Sequence, residues 1–176
     1  TVAVLSNDVD ADADPLTIIA ASAAHGAVTI NPGGTITYVP EVNFNGADTI
    51  SYSVSDGQGG TSASAVSVLV SPVNDEPVAT GETAVTIEDQ PVTVAVLSHA
   101  SDADGDALSV ISATATQGTV WINPDGTLTY RPDPNSNGRD TIRYMISDGR
   151  GGRASATVTV TVLPVNDIPA AADQLF

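Results

Sequence analysis

The sequence has no cysteine and no lysine, and its 176 residues carry 5 basic and 21 acidic side chains, a net charge of −16. Without cysteine, disulfides, thiolate metal sites and cysteine nucleophiles are excluded. The negative charge argues against nucleic acid and against anionic membranes as partners, because like charges repel. No apolar run is long enough to cross a bilayer, and no secretory signal opens the chain.

Aromatic residues are also scarce, at 4% of the chain, and there are only two histidines, His25 and His99. The hydrophobic fraction of 41% is nevertheless sufficient for a packed core, which must consist of Val, Ile, Leu and Ala. Valine, threonine, serine and glycine are frequent in the sequence. This composition is typical of β-sheets joined by frequent turns.

The sequence repeats itself. A shift of 92 residues places Thr1 on Thr93, and roughly 45 of about 79 aligned positions are then identical. The second copy is complete, whereas the first begins at Thr1 in the middle of an expected strand and has no counterpart of residues 84–91. We therefore expect a piece of a longer repeat array, in which the function belongs to the repeat.

The expected domains follow from this repeat. They are an N-terminally truncated repeat 1 over 1–76, repeat 2 over 77–168, and the start of a linker to a third repeat over 169–176. In repeat 2 the alternation of apolar and polar residues predicts seven strands, near 84–88, 92–98, 107–114, 118–123, 127–131, 140–147 and 153–163. The predicted fold is all-β, with two tandem immunoglobulin/cadherin-like Greek-key β-sandwiches, the first lacking its N-terminal strand.

The NPDG turn tests this strand assignment. Pro124 and Asp125 suit the centre of a type I turn, and Gly126 suits the left-handed position after it. This register places Ile122 opposite Leu128 and Val120 opposite Tyr130. The apolar side chains then share one face, as a sandwich requires.

Acidic residues concentrate at the two poles of the predicted sandwich. If strands run alternately down and up, one pole of repeat 2 collects a loop aspartate series, a second loop aspartate and two linker residues. These are Asp102, Asp104, Asp106, Asp148, Asn74 and Asp75. The opposite pole collects Glu88, Asp89, Asp140, Asn166 and Asp167. Repeat 1 carries the equivalent acidic residues Asp10, Asp12, Asp14 and Asp56.

Carboxylates packed in this way repel one another, and the chain has no lysine to offset them. Six to eight oxygen ligands from carboxylates and carbonyls are what Ca²⁺ prefers, whereas Mg²⁺ needs a tighter octahedral shell. The recurrence of the acidic loop in both copies, beside Asn-Asp at a junction, predicts calcium. An EF-hand is excluded because its glycine and glutamate positions hold Ala107 and Ala113, and the GGxGxDxUx nonapeptide is missing.

The series TIED, SDADGDAL, INPDGTLTYRP, NGRDTIRY, ISDGRGG and PVNDIP resembles the tandem cadherin-like repeat of large bacterial surface adhesins of the RTX, type I-secreted kind. It is more distantly similar to animal cadherin repeats. That resemblance implies calcium at a first junction, held by Asn74, Asp75, Asp102 and Asp104. It also implies a second junction, served by Glu88, Asn166 and Asp167, and an extracellular location at the cell surface.

Repeat 2 also carries features that repeat 1 lacks. All five arginines lie there, as does Trp121, which replaces Thr29. An outward Trp121 with Arg131 diagonal to it would suit stacking on a sugar ring or holding an acidic glycan, and Arg143 is a further candidate. The simpler interpretation is a local cation–π pair on a sheet surface.

Three classes of function follow. The first is a calcium-stiffened extracellular spacer or adhesion module that contacts neighbouring repeats, in cell adhesion and biofilm, with homophilic contact as a variant. The second is a carbohydrate-binding module that uses Trp121 and the arginines for an extracellular polysaccharide. Catalysis is the least favoured, because a glycosidase needs two carboxylates in a cleft and duplication suits a spacer better than an active site.

Overall fold

The computed structural model describes residues 1–168 of the chain. The chain divides into two compact units, Thr1–Val73 and Asn74–Phe176. The linker residues 74–76, which the sequence assigned to the first domain, therefore group with the second unit. The domain bounds 1–76 and 77–168 stay a prediction, and the expected linker over 169–176 lies outside the described residues.

The first unit contains five strands and one short 3-10 helix, Val4–Asn7. The strands are β1 (Thr17–Ser22), β2 (Gly26–Asn31), β3 (Thr35–Pro40), β4 (Gly46–Ser55) and β5 (Thr61–Val70). One sheet has the order β1-β4-β5, and the other consists of β2 and β3, extended by a bridge between Val2 and Ile36. Val4, Ile36, Ile50, Tyr52 and Val54 form the buried core between them.

The second unit repeats this plan with seven strands among its described residues. They are β6 (Glu82–Ile87), β7 (Val92–Val94), β8 (Ser109–Ala115), β9 (Gly118–Ile122), β10 (Leu128–Pro132), β11 (Gly138–Ser147) and β12 (Arg153–Leu163). The sheets have the orders β6-β12-β11-β8 and β7-β10-β9. All pairs are antiparallel except β6 with β12, which is parallel. The all-β immunoglobulin/cadherin-like fold predicted from the sequence is confirmed.

The alternation along the strands explains the core of the second unit. Val158 and Val160 of β12 are fully buried, and so are Ile142 and Ile146 of β11. Their neighbours in sequence face outward, as the period of two requires. The predicted hairpin register is also confirmed, because Ile122 pairs with Leu128 and Val120 with Tyr130.

One predicted strand is wrong in length. The strand expected over 92–98 ends at Val94, and residues 96–99 form a turn. Backbone hydrogen bonds from Ser98 to the carbonyl of Ala95 and from Ala100 to that of Leu97 close this turn. Val96 nevertheless remains fully buried, so an apolar residue that looked like a strand position is a core residue of a turn.

Candidate functional site

The best-defined acidic site lies in the loop between β7 and β8. The side chain of Asp102 folds this loop, because its Oδ1 accepts hydrogen bonds from the backbone N–H of Asp104 (2.9 Å) and of Asp106 (3.2 Å). Gly105 takes a left-handed conformation with φ of 76°, which glycine adopts without steric cost. The loop thereby brings together the aspartate cluster, meaning Asp102, Asp104 and Asp106, with one carboxylate oxygen of each within 4.8 Å of the others.

Residues from two other segments border the aspartate cluster. Asp75 donates its backbone N–H to Asp104 Oδ2 at 2.8 Å. Asn74 donates its side-chain amide to Asp148 Oδ2 at 2.7 Å, and Asp148 follows β11. The structure therefore unites the six residues predicted for this pole, and we call them the acidic site: Asn74, Asp75, Asp102, Asp104, Asp106 and Asp148.

Charge in the acidic site is only partly balanced. Arg150 Nε lies 2.8 Å from Asp106 Oδ1, but the Arg150 side chain is 68% exposed, so water screens the ion pair. Asp102 Oδ2 and Asp106 Oδ2 are buried and have no hydrogen-bond partner among residues 1–168. A buried carboxylate oxygen without a partner is costly. The acidic site therefore offers several carboxylate oxygens, two of which lack a partner. Such hard oxygen ligands fit a calcium ion.

Asp148 differs from the cluster in that its oxygens are already engaged. Besides Asn74, they accept the backbone N–H groups of Arg150 (2.7 Å) and Gly152 (3.0 Å). The hydrogen bond from Asn74, aided by these backbone bonds, holds the pKa of Asp148 below its ordinary value. Asp148 therefore stays ionised and ties the linker to the unit.

The corresponding loop of the first unit has the same shape. Asp10 Oδ1 accepts the backbone N–H of Asp12 (2.8 Å) and of Asp14 (3.1 Å), while Asp56 Oδ1 accepts that of Gly60 (3.0 Å). Ala13 stands where repeat 2 has Gly105, and its φ of 61° is left-handed, which is costly for a residue with a Cβ. Among residues 1–168, only the aspartate cluster of the second unit brings three carboxylates close enough for one ion.

The other predicted pole of repeat 2 is less compact. Glu88 is buried, its carboxylate accepts the backbone N–H of Val165, and it lies 3.4 Å from the Asn137 amide. The amide of Asn166 donates a hydrogen bond to the Asp167 carbonyl. Glu88 thus anchors the start of the segment that carries Asn166 and Asp167, and their predicted role as ligands stays a prediction.

Asp140, which the sequence placed at that pole, has a different role. It is 3% exposed, and its carboxylate accepts hydrogen bonds from Tyr130 Oη (2.7 Å), the Gln117 N–H (2.9 Å) and the Thr116 hydroxyl. Burial alone would raise the pKa of Asp140, but the bonds from Thr116 and Tyr130 outweigh it and leave this pKa below its ordinary value. Asp140 lies near the start of β11, and its oxygens are used in hydrogen bonds inside the fold.

The three residues predicted to bind sugar are divided between the two sheets of the second unit. Trp121 lies on β9 opposite Thr129 and is 48% exposed, and Arg131 lies two pairs further along the ladder, opposite Thr119. Arg143 lies on β11 in the other sheet. Arg143 therefore does not extend a patch around Trp121, and carbohydrate binding stays a prediction for Trp121 with Arg131.

Arg150 is the residue that sequence reasoning missed. Its place in the SDGRGG loop, two residues after Asp148, was the available signal, since that loop was already assigned to the acidic pole. Repeat 1 has Gln58 at this position. The acidic site of the second unit therefore contains a countercharge that its counterpart lacks.

Comparison with known proteins identifies the family. The family model described as bacterial Ig domain matches residues 1–69 and 74–161, so the chain belongs to the bacterial Ig domain family. No curated protein matches the chain. The described residues contain no helix long and apolar enough to cross a membrane.

Solved structures show a general likeness. The extracellular domains 3–6 of protocadherin gammaB7 share 13% identity at a TM-score of 0.48, covering 88% of this chain and 42% of that chain. The human desmocollin-1 ectodomain shares 14% at 0.42, covering 84% and 34%. The endo-fucoidan hydrolase MfFcnA4 of glycoside hydrolase family 107 shares 20% at 0.38, covering 88% and 24%. The chain spans about a quarter to two fifths of these proteins.

Proposed function

We propose that the protein is a calcium-stiffened spacer of an extracellular bacterial adhesion protein, in which the acidic site binds Ca²⁺. The observation that carries this proposal is the pair of buried carboxylate oxygens without a partner, Asp102 Oδ2 and Asp106 Oδ2. They lie within a group of three aspartates that one ion can reach. A bound cation would satisfy these oxygens and remove the repulsion between the carboxylates.

The linker residues explain how binding would stiffen the chain. Asn74 and Asp75 are joined to the acidic site by hydrogen bonds to Asp148 and Asp104. An ion that orders the aspartate cluster would also hold these linker residues and reduce the motion of the chain where it enters the second unit. Stiffening of linkers between repeats suits a spacer that projects a binding region away from a cell.

Membership of the bacterial Ig domain family supports a surface or extracellular setting, since domains of this kind are typical of such proteins. The assignment to an RTX, type I-secreted adhesin and to biofilm rests on the motif resemblance alone. Carbohydrate binding has less support than calcium, because its candidate residues do not form one patch. Duplication of the acidic residues argues for a spacer and not for catalysis.

A thermal melt tests the proposal. In chelator, and then with millimolar calcium or magnesium, we expect a calcium-selective rise of the midpoint. A hundredfold excess over the dissociation constant adds about 2.7 kcal/mol of stability, which shifts the midpoint on the order of 10 °C for a domain of this size. The double variant Asp102→Asn, Asp104→Asn should lose this rise.

Asp133→Asn is the control, because it makes the same kind of substitution in an exposed loop outside the acidic site. It should keep the full calcium response. Equal responses of both variants, or an equal rise with magnesium, would contradict a specific calcium site.

A further inference from the structure

The outer face of one sheet in the second unit carries three arginines. Arg139 and Arg143 lie on β11, and Arg153 begins β12 opposite Ser147. The ladder between these strands has no register shift, so the three side chains share one face, on the side away from the buried Ile142. All three are exposed, and we call them the arginine row: Arg139, Arg143 and Arg153.

The arginine row is evenly spaced along the sheet. On β11, Arg143 lies four residues beyond Arg139. Four residues further along is Ser147, which pairs with Arg153. At about 3.4 Å per residue, neighbouring members are about 14 Å apart along the strand, and the row is about 27 Å long. The row therefore presents positive charge along a line and not at a single point.

Acidic side chains are absent from this face. Among residues 1–168, the outward positions of β6, β8, β11 and β12 hold no aspartate or glutamate. Glu82 pairs with the buried Val158, and Asp140 is itself buried, so both belong to the other side of the sheet. The ion pairs in that part of the chain involve His99 and Arg150 and no member of the row. The charge of the row is therefore uncompensated on its own face.

Hydroxyl groups surround the middle of the arginine row. Arg143 and Met145 line an open depression of 370 Å³ on the outer face of β11. Hydroxyls from the strands on both sides complete its wall: Ser112, Thr114, Ser155 and Thr157. Hydroxyl groups both donate and accept hydrogen bonds, and a guanidinium binds an oxyanion such as a carboxylate through paired N–H groups. A sugar that carries an acidic group offers partners for both.

The fold itself does not require these residues. In the first unit, the counterparts of the arginine row are Ala47, Ser51 and Thr61, which hold the same ladder positions on β4 and β5. Of the four hydroxyl residues around the depression, three have alanine counterparts: Ala20, Ala63 and Ala65. The arginines and the hydroxyls thus occur together in the second unit, and the first unit lacks the combination.

The spacing of the arginine row indicates the charge density of its partner. Double-stranded DNA carries one negative charge per about 1.7 Å, far more than a row with one arginine per about 14 Å can neutralise. The aspartate cluster of a second copy has its carboxylate oxygens within 4.8 Å of one another, so it can meet only one member of the row. An extended polymer with widely spaced anionic groups matches the row better than either.

We propose that the arginine row and the depression around Arg143 bind a linear anionic polysaccharide whose acidic groups are separated by neutral sugars. The guanidinium groups bind the acidic groups, and the hydroxyls of the depression bind sugar hydroxyls between them. The net negative charge of the chain does not prevent this, because charges beyond about 8 Å are largely screened at physiological ionic strength. The site is separate from the acidic site and from Trp121 and Arg131, which lie on the other sheet.

Calorimetric titration of the whole chain with three polysaccharides tests the proposal. Hyaluronan carries a carboxylate on every second sugar, chondroitin sulfate adds a sulfate to that pattern, and dextran is neutral. The titrations are run in chelator, so that calcium cannot bridge a polymer to the acidic site and the result is independent of the calcium proposal. We expect saturable binding of hyaluronan, of chondroitin sulfate or of both, which raised salt weakens by about tenfold or more, and no binding of dextran.

Removal of the arginine row should weaken this binding strongly. The triple variant Arg139→Gln, Arg143→Gln, Arg153→Gln should bind about tenfold or more weakly, because it loses three charge-assisted contacts. Arg143→Gln alone should weaken binding by about threefold. Val42→Asp is its matched control, because it also lowers the net charge by one, at a position 93% exposed in the first unit. The control should bind as the unchanged chain does.

Ser155→Ala with Thr157→Ala tests the hydroxyls apart from charge, because it installs the residues that the first unit has at these positions. It should weaken binding by about threefold through lost hydrogen bonds. The salt dependence should stay the same, because no charge is altered. Circular dichroism checks that all variants fold, and the salt and dextran measurements on the unchanged chain decide the matter if the triple variant does not.

Absence of binding to both anionic polysaccharides would overturn the proposal. Binding of dextran as tight as that of hyaluronan, or equal weakening by Arg143→Gln and Val42→Asp, would overturn it too. Tighter binding of duplex DNA than of either polysaccharide would identify a nucleic acid as the occupant. Dimers in light scattering that the triple variant loses would identify a second copy of the chain, and each of these two results would also contradict the proposal.

Discussion

At the scale of single residues, Arg150 leads to the most specific prediction, which concerns calcium affinity. Its guanidinium supplies the cation that the aspartate cluster otherwise lacks, through Asp106. A positive charge beside the cluster repels an incoming calcium ion, although water screens part of this repulsion. The chain itself offers the comparison, because repeat 1 has Gln58 at the equivalent position.

We therefore predict that Arg150→Gln increases calcium affinity by about three- to tenfold, which is the effect of removing on the order of 1 kcal/mol of repulsion between like charges. Calorimetric titration with calcium measures it. Arg139→Gln, which removes an exposed arginine from the first part of β11, should leave the affinity unchanged. A weaker affinity in Arg150→Gln would show that Arg150 helps to build the site.

The buried pair of Tyr130 and Asp140 predicts a pH effect. The pKa of Asp140 in the folded chain lies below the ordinary 3.8, so this carboxylate stabilises the fold above pH 3.8, and the contribution is lost as pH falls through the folded-state pKa. Tyr130→Phe removes one hydrogen bond to a buried carboxylate. The substitution should lower the free energy of unfolding by about 1–3 kcal/mol at neutral pH. It should also reduce the loss of stability on acidification.

Chemical denaturation between pH 2 and 7 measures both effects. Tyr144→Phe is the control, because its hydroxyl binds the Thr80 carbonyl and no carboxylate. It should lower the stability without changing the acid dependence. An identical pH profile for Tyr130→Phe and the unchanged protein would contradict the role assigned to Asp140.

At the scale of elements, the two repeats differ by one strand that covers the edge of another. The repeat aligns β5 with β12 and pairs valines at the same inward positions. Within residues 1–168, β12 is covered by β6, and β5 has no such neighbour. The burial of otherwise equivalent side chains therefore depends on a neighbour strand and not on their own sequence.

This difference predicts unequal costs for the same substitution. Val160→Ala removes methyl groups from a fully buried position and should lower the free energy of unfolding by about 2 kcal/mol. Val68→Ala makes the same change at a partly buried position and should lower it by less than about 1 kcal/mol. Urea denaturation of the two variants gives the comparison. Equal costs would mean that β5 is covered in solution.

The strands were predictable from sequence because alternation and turn residues agree in both copies, as in β11 and β12. The end of β7 was not, since Val96 is as apolar and as buried as a strand residue. In the site, repetition revealed the aspartates of the loop. The internal role of Asp140 could not be predicted from the sequence, because its hydrogen bonds come from Tyr130 and Thr116 on other segments.

At the scale of the whole molecule, the two units have unequal cores. In the described part of the chain, nine buried hydrophobic residues form the core of the second unit and five that of the first. Buried apolar area is the main source of stability. The first unit should therefore unfold at the lower temperature.

The single tryptophan makes this measurable, because Trp121 lies in the second unit. We expect two thermal transitions by circular dichroism, of which only the upper one changes the tryptophan fluorescence. Calcium should raise the upper transition more than the lower one. A single transition that both signals share would contradict independent unfolding of the units.

Equilibrium dialysis against radioactive calcium tests the central claim most directly, because it counts bound ions without relying on stability. We expect saturable binding that excess magnesium does not displace. Asp102→Asn with Asp104→Asn should abolish this binding, while Asp133→Asn should retain it. Binding that is absent, or that survives in the double variant, would show that the aspartate cluster is not a calcium site.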